Sequence, residues 1–298
     1  MVPSEWNGIS FNLELLYGCN YRCSYCYWEL GDLWDTMAKK YAIQPAARWV
    51  ECWDKIYALY GSARINVVGG EPLLFPGIED FLAGTTRRHH VVLTSNLSMP
   101  LEKLRVFRER ISPERLFVVG SFHPQYARPE AFLEKMLCLR DQGYPVVATI
   151  VGWPPLLAKI PEWKNLFSQN GISTGLHVFV GGHDGKQYPA SYADEERAFL
   201  TEGLTAKDRE YWLNEKPTLG KLCGAGYVFA DISANGEVYR CGSVKGLPLP
   251  PEGNVFDASF RLWDRPKSCP ASVCKCGQYI NLWEDYTQRH PEGLTKRS

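Results

Sequence analysis

The chain of 298 residues contains no apolar run near the ~18 residues that a membrane-spanning helix needs. It has no net charge either, since 33 lysines and arginines stand against 33 aspartates and glutamates. No global field therefore draws it to nucleic acid or to an anionic membrane surface. A local excess over residues 87–115, seven basic against three acidic side chains, reads as a solvated helix face. The opening MVPSEWNGIS has neither the basic stretch nor the apolar segment of a secretory signal, which predicts a cytoplasmic protein. Hydrophobic residues make up 45% and charged residues 22%, enough apolar material for a sizeable core and too little charge for a disordered chain. The length suits one domain at its upper limit, or a large domain with a small one.

In a cytoplasmic setting the ten cysteines are better read as metal ligands or redox groups than as disulfides. Cys52 and Cys138 stand alone in helix-like stretches and are expected to pack as small hydrophobes. Cys19, Cys23 and Cys26 form a tight group in YGCNYRCSYCYWEL with spacing C-x3-C-x2-C. Three thiolates at such range suit zinc or iron–sulfur. Zinc would want a fourth ligand, and the six histidines (89, 90, 123, 177, 183 and 290) all lie far away in sequence. Three thiols without an obvious fourth would leave one iron of a four-iron cube open, as catalytic metal sites are.

This segment resembles the signature of the radical S-adenosylmethionine (SAM) enzymes, including the aromatic Tyr25 before the third cysteine. The resemblance implies a [4Fe–4S] cluster on Cys19, Cys23 and Cys26, its open iron chelated by SAM. It also implies reductive cleavage of SAM to a 5′-deoxyadenosyl radical, and a flavodoxin- or ferredoxin-type electron donor as partner. The implied fold is an α/β partial (β/α)6 TIM-like barrel. Short β-branched or aromatic runs predict strands over Ile9–Leu16, Ala63–Val68, His90–Thr94, Leu116–Ser121, Val146–Val151 and Leu176–Val180. Helix-like stretches lie between them at Gln44–Tyr60, Gly77–Gly84, Leu101–Ile111, Arg128–Gln142 and Leu156–Ser168.

In such barrels function gathers at the carboxyl ends of strands. Gly69-Gly70-Glu71-Pro72 follows the second strand and matches the family's GGEP motif. There the glycines would let backbone approach the ligand, and Glu71 or nearby carbonyls would receive the SAM ammonium. Ser95-Asn96 after the third strand is similar to the stretch meeting the SAM ribose or carboxylate, and Ser121 and His123 close the fourth. Taken singly, each is an ordinary turn or cap. Their placement at successive strand ends makes Tyr25, Gly69, Gly70, Glu71, Pro72, Ser95, Asn96 and Ser121 the candidate SAM contacts. His123, Lys186 and Tyr188 are the catalytic candidates, with His177, Asp184 and Tyr192 also at the expected rim.

Composition shifts after the sixth strand, and the charged helical stretch Asp194–Asn214 contains an expected boundary between residues 1–204 and 205–298. Beyond it Cys223 and Cys241 flank an Asn235-Gly236 hairpin signal, which should draw them together. Cys269, Cys274 and Cys276 follow. This resembles the SPASM/twitch extension of radical SAM enzymes, whose first half reads C-x(9–15)-G-x4-C. Five cysteines rather than the full seven imply one auxiliary [4Fe–4S] cluster with one thiol spare, either idle or a hydrogen donor. The alternative for this region is a structural zinc ribbon.

An auxiliary cluster would either ligate substrate or accept the electron left after hydrogen abstraction, giving oxidation; a thiol returning hydrogen would give epimerisation. Only 18 residues precede Cys19 and 22 follow Cys276, which predicts no fused leader-peptide-binding domain. That favours a small polar metabolite of sugar, aminoglycoside or nucleoside type. A ribosomally made peptide is the alternative substrate, and a non-catalytic iron–sulfur carrier or zinc module the alternative class.

Overall fold

The computed structural model describes residue 6 and residues 8–26, 34–274 and 278–289. Six parallel strands carry the fold: β1 (Ser10–Leu16), β2 (Arg64–Gly69), β3 (His90–Ser95), β4 (Leu116–Phe122), β5 (Val146–Gly152) and β6 (Thr174–Val178). Each pairs with the next in sequence order, the pattern of right-handed β–α–β crossovers. The crossovers contain α1 (Trp34–Lys40) and α2 (Ala46–Tyr60), α3 (Ile78–Thr86), α4 (Leu101–Arg105) and α5 (Phe107–Arg110), α6 (Pro129–Asp141) and α7 (Ile160–Gln169). The strands are where the sequence predicts them to within two residues, because buried β-branched runs such as HVVLTS and VVATIVG have little other use.

Helices α2, α6 and α7 show why the layers hold. In α2 the buried residues Trp49, Cys52, Trp53 and Ile56 recur at helical spacing, and they pack in one core with Phe11, Leu13, Ile65 and Val67 of β1 and β2. Phe132, Met136 and Leu139 of α6 and Ile160, Trp163 and Phe167 of α7 extend the same core. Each such side chain contributes about 1.5–3 kcal/mol on burial. Cys52 sits in this packing with 1% exposure, as expected of a small core hydrophobe. The stretch predicted as one helix over Leu101–Ile111 is two, since Val106 leaves the helical region (φ −100°, ψ 6°) between buried Leu104 and Phe107.

After β6 the chain makes a hairpin of β7 (Gly181–His183) and β8 (Lys186–Tyr188), then α8 (Asp194–Leu200) and α9 (Ala206–Trp212). Then follow β9 (Leu222–Cys223), β10 (Phe229–Ile232), β11 (Glu237–Tyr239), α10 (Gly242–Lys245), β12 (Gly253–Asn254), β13 (Lys267–Ser268) and α11 (Trp283–Arg289). The Asn235-Gly236 hairpin forms, with Gly236 at φ +86°. It does not stand apart: β10 runs parallel to β1, from Ser10↔Phe229 to Leu13↔Ile232. The result is one nine-stranded sheet in the order β12-β11-β10-β1-β2-β3-β4-β5-β6. This is the partial TIM-like barrel of the sequence reading, with a C-terminal extension built onto its first strand. Among the described residues, no helix is long and apolar enough to cross a membrane.

Candidate active site at the carboxyl ends of the strands

A cavity of about 350 Å³ opens at the carboxyl ends of the parallel strands. Its wall brings together Cys19, Cys23, Cys26 and Tyr25 from the loop after β1, Gly69, Gly70 and Glu71 after β2, Ser95 and Asn96 at β3, and Ser121 and His123 at β4. Eleven sequence-selected residues thus share one space although they span more than a hundred positions of chain. Pro72 lies behind Glu71, buried at the start of a one-turn 3₁₀ segment (Pro72–Leu74) rather than on the wall. Lys186 and Tyr188 also lie off the wall. The chain after β6 folds back into its own hairpin, leaving Lys186 exposed and Tyr188 against Tyr192 and Phe179. His177 is exposed on β6 beside Trp212, at 5.2 Å between ring centroids.

The cysteine loop is held by short-range bonds. The Cys26 N–H donates to the Cys23 carbonyl (2.9 Å), closing a turn over Ser24 and Tyr25. The Cys19 Sγ accepts from the Tyr21 N–H at 3.3 Å and from Asn96 Nδ2 at 3.8 Å. None of the three is in a disulfide. Burial pushes the Cys19 thiol up, and it pushes Cys23 up to about 12, reinforced by the neighbouring Cys26. Thiols that disfavour one another's ionisation call for a cation, since a bound metal deprotonates a coordinating thiol outright. The three thiols line one cavity wall, and soft donors of this kind suit an iron–sulfur cluster.

The glycines serve a closer purpose than ligand access. A Cβ on Gly70 would come within 2.0 Å of the Gly18 carbonyl oxygen, and one on Gly69 (φ +127°) within 2.2 Å of Leu16 O. The loop after β2 lies directly on the end of β1, where the Gly70 N–H donates to Leu16 O (2.8 Å) and the Glu71 N–H to Gly18 O (2.9 Å). Glu71, 1% exposed, has both oxygens engaged. Oε1 accepts from Ser95 Oγ (2.6 Å) and the Leu73 N–H (2.9 Å), and Oε2 from the Asn96 N–H (2.6 Å). The carboxylate therefore fixes the turn at Ser95–Asn96. Its own pKa is raised by burial, opposed by those three bonds.

On the opposite side the Tyr25 hydroxyl meets His123 Nδ1 at 3.2 Å, with the rings stacked at 5.8 Å. Burial pushes His123 down to about 4, so the imidazole is neutral near pH 7. Thr94, which precedes Ser95 in the stretch read as a SAM contact, is on the wall too, and Tyr21, Val68, Val151, Val178, Phe179 and Val180 line the cavity without having been singled out from sequence. Most of them sit at or just after the carboxyl ends of β2, β3, β5 and β6, so strand-end position was the available signal.

A second site lies under the C-terminal segment. Cys223 and Cys241 are buried in a cluster with Tyr211, Phe229 and Leu282, and Cys269 and Cys274 pack against it. The β9–β13 pair sets Cys223 opposite Lys267, and the Cys269 N–H donates to Lys221 O at 2.8 Å. The nearby Cys269 adds to the upward shift that burial imposes on Cys223. Four of the five predicted thiols thus gather in one place, and Cys276 lies outside the described residues.

Residues 13–159 match the family model described as the Radical SAM superfamily. That stretch, close to half the chain, is similar to a radical SAM domain. Similar solved structures include SuiB from Streptococcus suis, with a TM-score of 0.58 and 16% identity over 84% of this chain and 63% of that one. SuiB bound to S-adenosylmethionine is similar at 15% identity and a TM-score of 0.58, over 84% of this chain and 63% of that one. The structure of anSMEcpe with bound AdoMet gives 0.58 and 12% over 93% and 81% of the two chains. At such identities the likeness is one of fold, and this chain spans only 63% of the length of SuiB. No curated protein matches the chain.

Proposed function

We propose that the chain is a radical SAM enzyme in which Cys19, Cys23 and Cys26 hold a [4Fe–4S] cluster and the adjoining cavity holds SAM. The observation that carries this reading is the convergence of three cysteine thiols, the Gly69–Glu71 turn, Ser95–Asn96 and Ser121 on one cavity. When bound, the cluster and SAM supply a one-electron cleavage whose 5′-deoxyadenosyl radical takes a hydrogen atom from substrate. The chain's own part is to orient and enclose. Glu71 or carbonyls of the turn after β2 would receive the ammonium, Glu71 holds Ser95 and Asn96 in place, and Tyr25 with neutral His123 forms the opposite wall. Val151, Val178, Phe179 and Val180 give that cavity an apolar side, which excludes water from a reactive radical. A flavodoxin- or ferredoxin-type donor supplies the electron.

In this reading residues 205–298 form an auxiliary region in which four of Cys223, Cys241, Cys269, Cys274 and Cys276 ligate a second [4Fe–4S] cluster. The substrate is a small polar metabolite undergoing oxidation or epimerisation. Peptide modification is the second reading, favoured by the likeness to anSMEcpe bound to AdoMet and the Kp18Cys peptide (TM-score 0.57, 11% identity). The test is anaerobic reconstitution with iron and sulfide, then SAM and dithionite. The expected product is 5′-deoxyadenosine, with about eight irons per chain when both clusters are present. Cys19→Ala, Cys23→Ala and Cys26→Ala should each abolish it; cleavage that persists in them refutes the reading.

A further inference from the structure

The turn after β4 grips the cysteine loop through two side chains to which the function above gives no part. The turn itself is tight, with the Tyr126 and Ala127 N–H groups both donating to the His123 carbonyl (2.9 and 3.0 Å). From it the Tyr126 hydroxyl accepts from the Arg22 N–H (3.0 Å) and donates to the Arg22 carbonyl (2.8 Å). Its ring lies flat on Tyr21, with centroids 4.5 Å apart and planes 10° from parallel. One position earlier, Gln125 Oε1 accepts from the Ser24 N–H and Nε2 donates to Ser24 Oγ, both at 2.9 Å. Residues 21–23 belong to neither helix nor strand, so no ladder fixes their peptide groups. The Arg22 guanidinium adds bonds inside the loop, to Cys19 O (2.7 Å) and Tyr21 O (3.1 Å). Arg22 and Ser24 are the two residues that flank Cys23, and each is held from outside by its own partner.

We propose that Gln125 and Tyr126 are positioning residues for the metal-binding thiols: by fixing Ser24 and Arg22 they preset the spacing of Cys19, Cys23 and Cys26 before any cluster arrives. The proposal rests on the radical SAM reading for its purpose, and on the four bonds for its mechanism. Peptide groups already held need not be ordered when the group binds, so the clamp favours uptake and slows loss. Both residues lie on the turn that also places His123 against Tyr25, so a single short segment sets the loop and one wall of the cavity.

The test compares the full-length wild type with Tyr126→Phe, Gln125→Leu and the double variant. Tyr126→Phe keeps the stacking on Tyr21 and loses both bonds. Metal-free, reduced protein is alkylated with iodoacetamide under anaerobic conditions, and modification at each cysteine is followed by mass spectrometry. Cys138, on α6 and outside the cavity, is the internal reference. The rate at Cys23 is expected to rise roughly tenfold in the double variant, by the loss of several hydrogen bonds. It should rise less in Gln125→Glu, which keeps the acceptor for the Ser24 N–H. After reconstitution the double variant should also lose iron to a chelator about tenfold faster than wild type. Equal alkylation rates at unchanged Tm overturn the clamp. Should the double variant lose stability, Tyr126→Phe decides by the same comparison. A wild type whose three thiols remain fully reactive after reconstitution defeats the radical SAM reading, and the metal-free alkylation contrast still judges the clamp.

Discussion

Both oxygens of the Glu71 carboxylate are spoken for, and a glutamine there can supply only one acceptor. Glu71→Gln therefore leaves either the Leu73 N–H or the Asn96 N–H without its acceptor. The expected loss is about 1–3 kcal/mol of stability, seen in urea denaturation, together with weakened SAM binding in equilibrium dialysis; unchanged binding would separate Glu71 from the site. A second residue sets the response to acid. His89 is fully buried, its Nδ1 accepting from the Ala63 N–H (3.0 Å) and its Nε2–H donating to Trp53 O (2.8 Å). Burial holds its pKa below the ordinary 6.5, so the unfolded chain binds the proton first. Its contribution is complete above about pH 6.5 and is lost as pH falls through the lowered folded value. His123, lowered by burial to about 4, acts in the same direction. Stability followed by denaturation should fall steadily below pH 6.5, and His89→Gln should flatten that fall while lowering the plateau.

At the scale of elements, the loops after β1 and β2 meet backbone to backbone, and glycine decides whether they fit. Gly70→Ala must move the Gly18 carbonyl, and about 1–3 kcal/mol of overpacking is expected. Gly18→Ala meets nothing within 4 Å, so its Tm should stay near that of wild type. Equal Tm values for the two would contradict this account of the turn. The same elements show what the sequence makes legible. The parallel strands announce themselves as short apolar, β-branched or aromatic runs, and motif residues at strand ends land on one cavity because parallel strands all point their carboxyl ends the same way. Partnership across the chain has no such local mark. The hairpin after Cys223 is signalled by Asn235-Gly236, but its pairing with β1 depends on residues more than two hundred positions away. Gln125 and Tyr126 read as ordinary polar turn residues until the fold sets them against Arg22 and Ser24. Lys186 and Tyr188 fail for the converse reason: they follow β6 closely in sequence, yet the local hairpin carries them off the cavity.

Across the whole molecule, the C-terminal segment is tied to the first strand by buried charge as well as by the sheet. Lys245, its side chain 7% exposed, pairs with Glu14 of β1 and lies 3.6 Å from Asp231 of β10. It donates to the Tyr17 hydroxyl at 2.8 Å and sits 5.0–5.5 Å from the ring centres of Tyr17, Tyr41 and Tyr239. Glu14 lies five residues from Cys19, and Lys245 four from Cys241. Lys245→Met would strand two buried carboxylates and is expected to cost about 3–5 kcal/mol in denaturant titration. Because the pair is shielded from water, that cost should change little with salt; a loss below 1 kcal/mol, or one erased by salt, would contradict the link.

The measurement that bears most directly on the central claim is the electron paramagnetic resonance spectrum of reconstituted, dithionite-reduced protein, recorded before and after SAM is added. To isolate the first site it is taken on a variant with Cys223, Cys241, Cys269, Cys274 and Cys276 replaced by alanine. The account predicts a reduced four-iron signal whose g-values shift when SAM ligates the open iron. A signal indifferent to SAM, or no iron held by Cys19, Cys23 and Cys26, would contradict it.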